Sequence, residues 1–84
     1  MDLELIGFLK DGKYRLSILK EIYISPKLPS EIAKKFEVNR SSISRILRDL
    51  KKRNLVSIHS TSSRTKLYAI TNLGREAIAG LNDK

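Results

Sequence analysis

Residues 39–53 can bury only one of their sides, and this limits what the chain can become. At about 100° per residue along a helix, Ile43, Ile46, Leu47 and Leu50 fall in one narrow sector. Ser41, Arg45, Arg48 and Lys52 take the opposite side, with Ser42, Ser44 and Asp49 on the flanks. Such a segment lies as a helix on the surface of a domain, its aliphatic seam against the core and its basic side out. Small hydroxyls followed by long guanidinium groups are residue types that allow close approach to a polyanion and then grip it.

The surrounding charge points the same way. Between Lys34 and Lys66 there are ten basic residues and two acids, Glu37 and Asp49, a net +8. The rest of the chain holds seven basic and seven acidic residues and is neutral. A solvated basic helix face is common in proteins of any kind, so the helix alone decides nothing. Confinement of the whole excess to one stretch reads as an electrostatic footprint for duplex DNA.

Composition removes several classes of function. Eighty-four residues, 40% of them hydrophobic, suit one small domain with a single core. With no cysteine there is no disulfide, thiolate metal site or cysteine nucleophile, and His59, the one histidine, cannot build a zinc site alone. No metal and no cofactor are expected. No apolar run approaches the roughly 18 residues of a membrane span, and the start does not resemble a signal peptide. The reading is a cytoplasmic protein with no membrane partner and no evident small-molecule effector. Tyr14, Tyr23, Tyr68, Phe8 and Phe36 are too scattered for a base-stacking platform and read as core or rim. No serine has an acid or base arranged beside it for nucleophilic catalysis, so no enzyme is expected.

Along the chain, Leu3, Leu5, Ile6, Phe8 and Leu9 suggest a short helix over residues 1–10, although their spacing also allows a strand. Asp11-Gly12 is a turn signal, and Asp11 is a candidate cap for the next helix. Tyr14, Leu16, Ile18, Leu19, Ile22 and Tyr23 form a stripe too wide for one neighbour, which predicts a central helix over 13–23, ended by Ser25-Pro26. Pro29 suits the first position of a helix over 29–36, with Glu31 in its first turn and Ile32, Ala33 and Phe36 buried. Asn39 caps the helix over 39–53, and Asn54 suits a left-handed position after it. Leu55–His59 and Lys66–Ile70 read as strands of a hairpin within 55–70. Thr71 caps a last helix over 72–81. The expected fold class is mainly α with a small β-hairpin (α+β), in one domain spanning 1–84.

The segment from Pro29 through Glu31-Ile32-Ala33-Lys34-Lys35-Phe36 to Asn39-Arg40-Ser41-Ser42-Ile43-Ser44-Arg45-Ile46-Leu47-Arg48 resembles the helix-turn-helix of winged-helix transcriptional regulators. The MarR-like and ArsR-like families and their small archaeal relatives are the match. The similarity runs on through Lys51-Lys52-Arg53-Asn54-Leu55-Val56 to Leu67-Tyr68-Ala69-Ile70-Thr71-Asn72-Leu73-Gly74, covering residues 13–81. Three positions depart from the pattern. Glu37 stands where the turn between the two helices often has Gly, Asn54 replaces the usual Gly after the recognition helix, and Leu28 replaces a capping Ser or Thr.

The resemblance implies a winged helix-turn-helix that binds double-stranded DNA. Arg40, Ser41, Ser42, Ser44, Arg45, Arg48 and Lys52 would enter the major groove. Ser62, Ser63, Arg64, Thr65 and Lys66 would form the wing at the adjacent minor groove, with Ser30 and Lys34 on the DNA backbone. It also implies a homodimer, whose interface is expected at Leu3, Leu5, Ile6, Leu9, Ala77, Ile78 and Leu81. The competing expectation is that these terminal segments pack on each other within one chain. Two other functions remain open: a protein-interaction adaptor, for which an exposed apolar patch on the helix over 39–53 or on the wing would speak, and an architectural or replication-associated protein that reads only the DNA backbone. His59 is expected to be a half-exposed structural residue.

If the +8 segment binds a duplex, log affinity falls linearly with log salt, by about 0.9 for each phosphate neutralised. Titrations at several salt concentrations check this, and binding indifferent to salt would exclude an electrostatic footprint.

Overall fold

The computed structural model describes residues 3–62 and 65–82, and side chains for 3–60 and 65–81. In chain order the elements are α1 (Leu3–Asp11), α2 (Arg15–Ile24), α3 (Pro29–Phe36), α4 (Arg40–Lys52), β1 (Val56–Ser62), β2 (Thr65–Ile70) and α5 (Asn72–Asn82). This is the expected mainly α fold with one hairpin. α2 packs on α1, α5 and β2, while α3 packs on α4 and β2. The core is aliphatic: Leu5 and Leu9 of α1, Ile18, Leu19 and Ile22 of α2, Ile32 of α3, Ile43, Leu47 and Leu50 of α4, and Ala77 and Ile78 of α5 close around Leu55, Val56 and Tyr68. Among the described residues no polar or charged side chain is buried.

α2 starts differently from the expectation. Asp11 ends α1 and caps nothing. Tyr14 precedes α2 instead, at φ 70°, with no side-chain cap. The Tyr14 ring makes a tertiary contact there, 6.0 Å from the Phe36 ring, and the neighbouring Lys13 ammonium lies 5.3 Å from the Tyr14 ring centre. At its other end α2 stops before Ser25, extended at φ −166°, as the following proline requires. The apolar stripe is narrower than its sequence suggests. Tyr23 is 51% exposed, beside a hollow whose α5 wall is Ile78 and Ala79, side chains too short to cover the ring.

The hairpin is longer than its apolar residues indicate. Its antiparallel register runs from Val56↔Ile70 through Ile58↔Tyr68 to Ser60↔Lys66, then shifts to Ser62↔Thr65. The Ser/Thr run joins the ladder because strand pairing uses the backbone, and Thr favours it. A further pairing has no signature in the sequence. Lys27 and Tyr68 exchange two backbone hydrogen bonds, of 2.9 and 2.8 Å, so the segment before α3 lies along β2.

α5 is joined to the end of α4. The Thr71 hydroxyl accepts the Gly74 N–H at 3.0 Å, capping α5 as expected, and donates to the Asn54 carbonyl at 2.7 Å, with the Leu55 carbonyl 3.0 Å away. Gly74 is required there, because a Cβ would press into the Leu55 carbonyl and the Ile70 side chain. Gly7 of α1, by contrast, has nothing within 4 Å of the place a Cβ would take. Gly74→Ala should therefore destabilise the fold by about 1–3 kcal/mol. Gly7→Ala should stabilise it by about 0.5–1 kcal/mol. Urea denaturation of the two variants checks the opposite signs.

Candidate nucleic-acid interface

α3 and α4 are built from local signals and finished in the same way. Pro29 opens α3, and the Glu31 carboxylate accepts the Leu28 N–H at 2.8 Å. The Leu28 side chain, having no acceptor, leaves that capping pair half made. α3 ends at Glu37, left-handed at φ 54°, with Val38 N–H bonded to the Ala33 carbonyl at 3.1 Å. α4 starts on Asn39, whose Oδ1 accepts the Ser42 N–H at 2.8 Å. It ends at Asn54, left-handed at φ 61°, with Leu55 N–H bonded to the Leu50 carbonyl at 3.0 Å and Asn54 N–H to the Lys51 carbonyl at 2.9 Å. Both helices thus close with the bonding pattern usually made around glycine. Asn pays little for it, and Glu37 carries some strain. Glu21 of α2 braces the pair from behind, 2.9 Å from the Lys35 ammonium.

α4 places its side chains as its periodicity requires. Ile43, Leu47 and Leu50 are fully buried and Ile46 half-buried, while Ser41, Arg45, Arg48 and Lys52 are exposed and Ser42 and Ser44 half-buried. Arg40, Ser41, Ser44, Arg45 and Arg48 together line a shallow hollow of about 470 Å³. Among the described residues, ion pairs engage Lys27, Lys35 and Arg53, while Arg40, Arg45, Arg48, Lys52, Lys34 and Lys66 have none. The cations of this face are left uncompensated for an outside anion.

The other expected residues fall less uniformly. Ser30, in the first turn of α3, stands with Thr65 and Lys66 of β2 around a second, smaller cleft, and Lys34 is exposed further along α3. Ser62 belongs to β1, its side chain outside those described, and Ser63 and Arg64 lie outside the described residues. His59 is exposed rather than half-exposed, its Nε2 3.2 Å from the Ser57 hydroxyl. The seven expected dimer residues divide. Leu5, Leu9, Ala77 and Ile78 are buried in the chain's own core, where α1 and α5 pack together, and leave little surface for a partner. Ile6 and Leu81 are half-buried, and Leu3 is 82% exposed.

One basic residue of the footprint is diverted. The Arg53 guanidinium lies 4.6 Å from the Phe8 ring centre and 3.6 Å from Glu4, while Arg15 lies 4.0 Å from the same ring. These groups line a hollow of about 550 Å³ whose acids and bases are mixed, so it does not extend the cationic face.

Against known proteins, the model of the MarR family matches residues 15–65. The chain belongs to the MarR family. Solved structures agree in fold. A transcriptional regulator from Thermotoga maritima superposes with a TM-score of 0.79 at 20% identity, over 93% of this chain and 60% of its own. The transcriptional regulator BldR from Sulfolobus solfataricus gives 0.77 at 27% identity, over 93% and 58%. The homodimeric winged helix-turn-helix DNA-binding domain of a Mycobacterium bovis protein gives 0.76 at 22% identity, over 93% and 71%. No curated protein matches significantly. This MarR-family chain therefore spans about 60% of the length of the T. maritima regulator and somewhat less of BldR. In family terms α3 and α4 are the helix-turn-helix, α4 the recognition helix, and β1–β2 the wing.

Proposed function

We propose that the chain is a sequence-specific, double-stranded DNA-binding transcriptional regulator of the cytoplasm, with α4 in the major groove and the wing along the adjacent minor groove. The observation that carries this reading is the outer face of α4, where exposed arginines without ion pairs stand among small hydroxyls. Close approach suits the serines, and bidentate pairing with guanine suits Arg45 and Arg48. An adaptor role is disfavoured because the large hydrophobic residues exposed among those described, Leu3, Tyr23, Ile24 and Leu73, lie on neither α4 nor the hairpin.

The first experiment sequences the genomic fragments that the protein retains at physiological salt, then measures variants on the recovered site. Arg45→Ala or Arg48→Ala should cost roughly 1–3 kcal/mol and relax preference at one base pair. Lys34→Ala should weaken all sequences alike. Arginine variants that behave like the lysine variant would instead identify a protein that reads only the backbone.

The reading includes a homodimer, which would place two recognition helices about 34 Å apart on a palindromic site. The surface left for pairing on α1 and α5 is Leu3 with the half-buried Ile6 and Leu81, in the charge-neutral part of the chain. The homodimeric state of the M. bovis domain supports it. Sedimentation equilibrium should show a dimer, and Leu3→Asp, at a side chain 82% exposed in the single chain, should yield monomers whose circular dichroism is that of the folded wild type. A wild-type chain that stays monomeric on a palindromic duplex would exclude pairing.

A further inference from the structure

The bridge between Lys27 and Tyr68 also shapes the surface beside the recognition helix. It is antiparallel, so the chain leaving Lys27 runs back along β2 toward Lys66, and α3 begins within two residues of the bridge. α4 packs on α3 and turns Arg40 and Ser44 to the same gap. The result is a cleft of about 250 Å³ lined by Leu28, Pro29, Ser30, Arg40, Ser44 and, from β2, Thr65 and Lys66. Two cations from separate elements meet three hydroxyl residues there, and among the described residues no carboxylate lines the cleft. Neither Arg40 nor Lys66 has an ion pair among the described residues. Glu31, the acid of the adjoining helix turn, has its Oε1 occupied by the Leu28 N–H at 2.8 Å.

We propose that this cleft seats a single phosphate of the DNA backbone, held jointly by Arg40 of the recognition helix and Lys66 of the wing. The proposal rests on the DNA-binding reading above and changes its assignments. Arg40 becomes a backbone contact rather than a reader of bases, and Lys66 leaves the minor groove for the junction. Hydroxyl donors from Ser30 and Ser44 match acceptor oxygens of a phosphodiester. A phosphate held between the two elements sets the angle of the wing against the recognition helix, so both engage the duplex in one register.

Sharing one phosphate has a numerical signature. Counted per bound subunit, cations on two separate phosphates would each lower the salt slope by about 0.9 when removed, and by about 1.8 together. Cations on one phosphate lower it by about 0.9 per subunit in total, and their affinity losses fail to multiply. The test is a cycle of Arg40→Gln, Lys66→Gln and the double variant on a short duplex, with Lys34→Gln, outside the cleft, as the additive control. All these side chains are exposed, and circular dichroism checks that the fold is kept. Expected is one shared loss for the Arg40 and Lys66 pair, with Lys34→Gln adding its own in full. A scan of neutral methylphosphonates along the duplex should find one position in each half-site that weakens the wild type and leaves the double variant unchanged. Additive slopes, or no such position, would overturn the shared seat while DNA binding stands. A wild type that binds no duplex would overturn both.

Discussion

Everything about the basic face depends on the burial of Ile43, Leu47 and Leu50, none of which retains any exposure. Each such side chain contributes about 1.5–3 kcal/mol when removed from water. Opposing them is repulsion among the cations on the other side, where Arg48 and Lys52 stand one turn apart and like-charge pairs at that spacing cost about 0.2–0.5 kcal/mol. The seam outweighs the repulsion several times over, so α4 sits with its aliphatic side down whether or not an anion is present. The face is therefore preformed. Under the proposed DNA binding it would need no reorganisation, and arriving phosphates would relieve the repulsion it tolerates.

The helices of the motif were legible because their signals are local. Pro29, Asn39 and Asn54 each act on backbone groups within a few positions of themselves, and the Asn39 cap and the left-handed Asn54 are where the residue types place them. The start of α2 was not legible for the opposite reason. Asp11-Gly12 is a fair local turn signal, but the left-handed Tyr14 packs its ring near Phe36, 22 positions away in sequence, and no local propensity reports that contact. The Lys27–Tyr68 bridge escaped for a similar reason. A single paired residue in a segment containing Pro26 and Pro29 has no alternation to detect.

For the site, periodicity identified which residues of α4 share a face, since the exposed and buried sets follow from angle alone. It could not tell which cations are free. Arg53 adjoins the basic run in sequence yet is drawn to Phe8 and Glu4, whereas Arg40 and Lys66, 26 positions apart, line one cleft. Apolar character at the two ends of the chain was equally ambiguous. A segment that closes a monomer's core and one that pairs with a second copy have the same composition, and packing alone separates Leu5 and Ala77 from Leu3.

The join between α4 and α5 bears on how pairing would affect recognition. Asn54 and Leu55 end the recognition helix, and their carbonyls receive the Thr71 hydroxyl and, at Leu55, the Thr71 N–H at 3.1 Å. Gly74 lies against the same Leu55 carbonyl, so no side-chain layer separates the start of α5 from the end of α4. Most neighbouring helices meet through side chains, which can slide or change rotamer as the helices shift. Here the link is backbone carbonyl to capping hydroxyl, and a displacement of α5 must either carry the last turn of α4 with it or break a cap worth about 1 kcal/mol. Under the proposed pairing along α1 and α5, the distance between the two recognition helices would be governed by this rigid joint more than by the hairpin. The wing, attached beyond it, is then oriented by what it meets on the opposite side, at Lys27 and the start of α3.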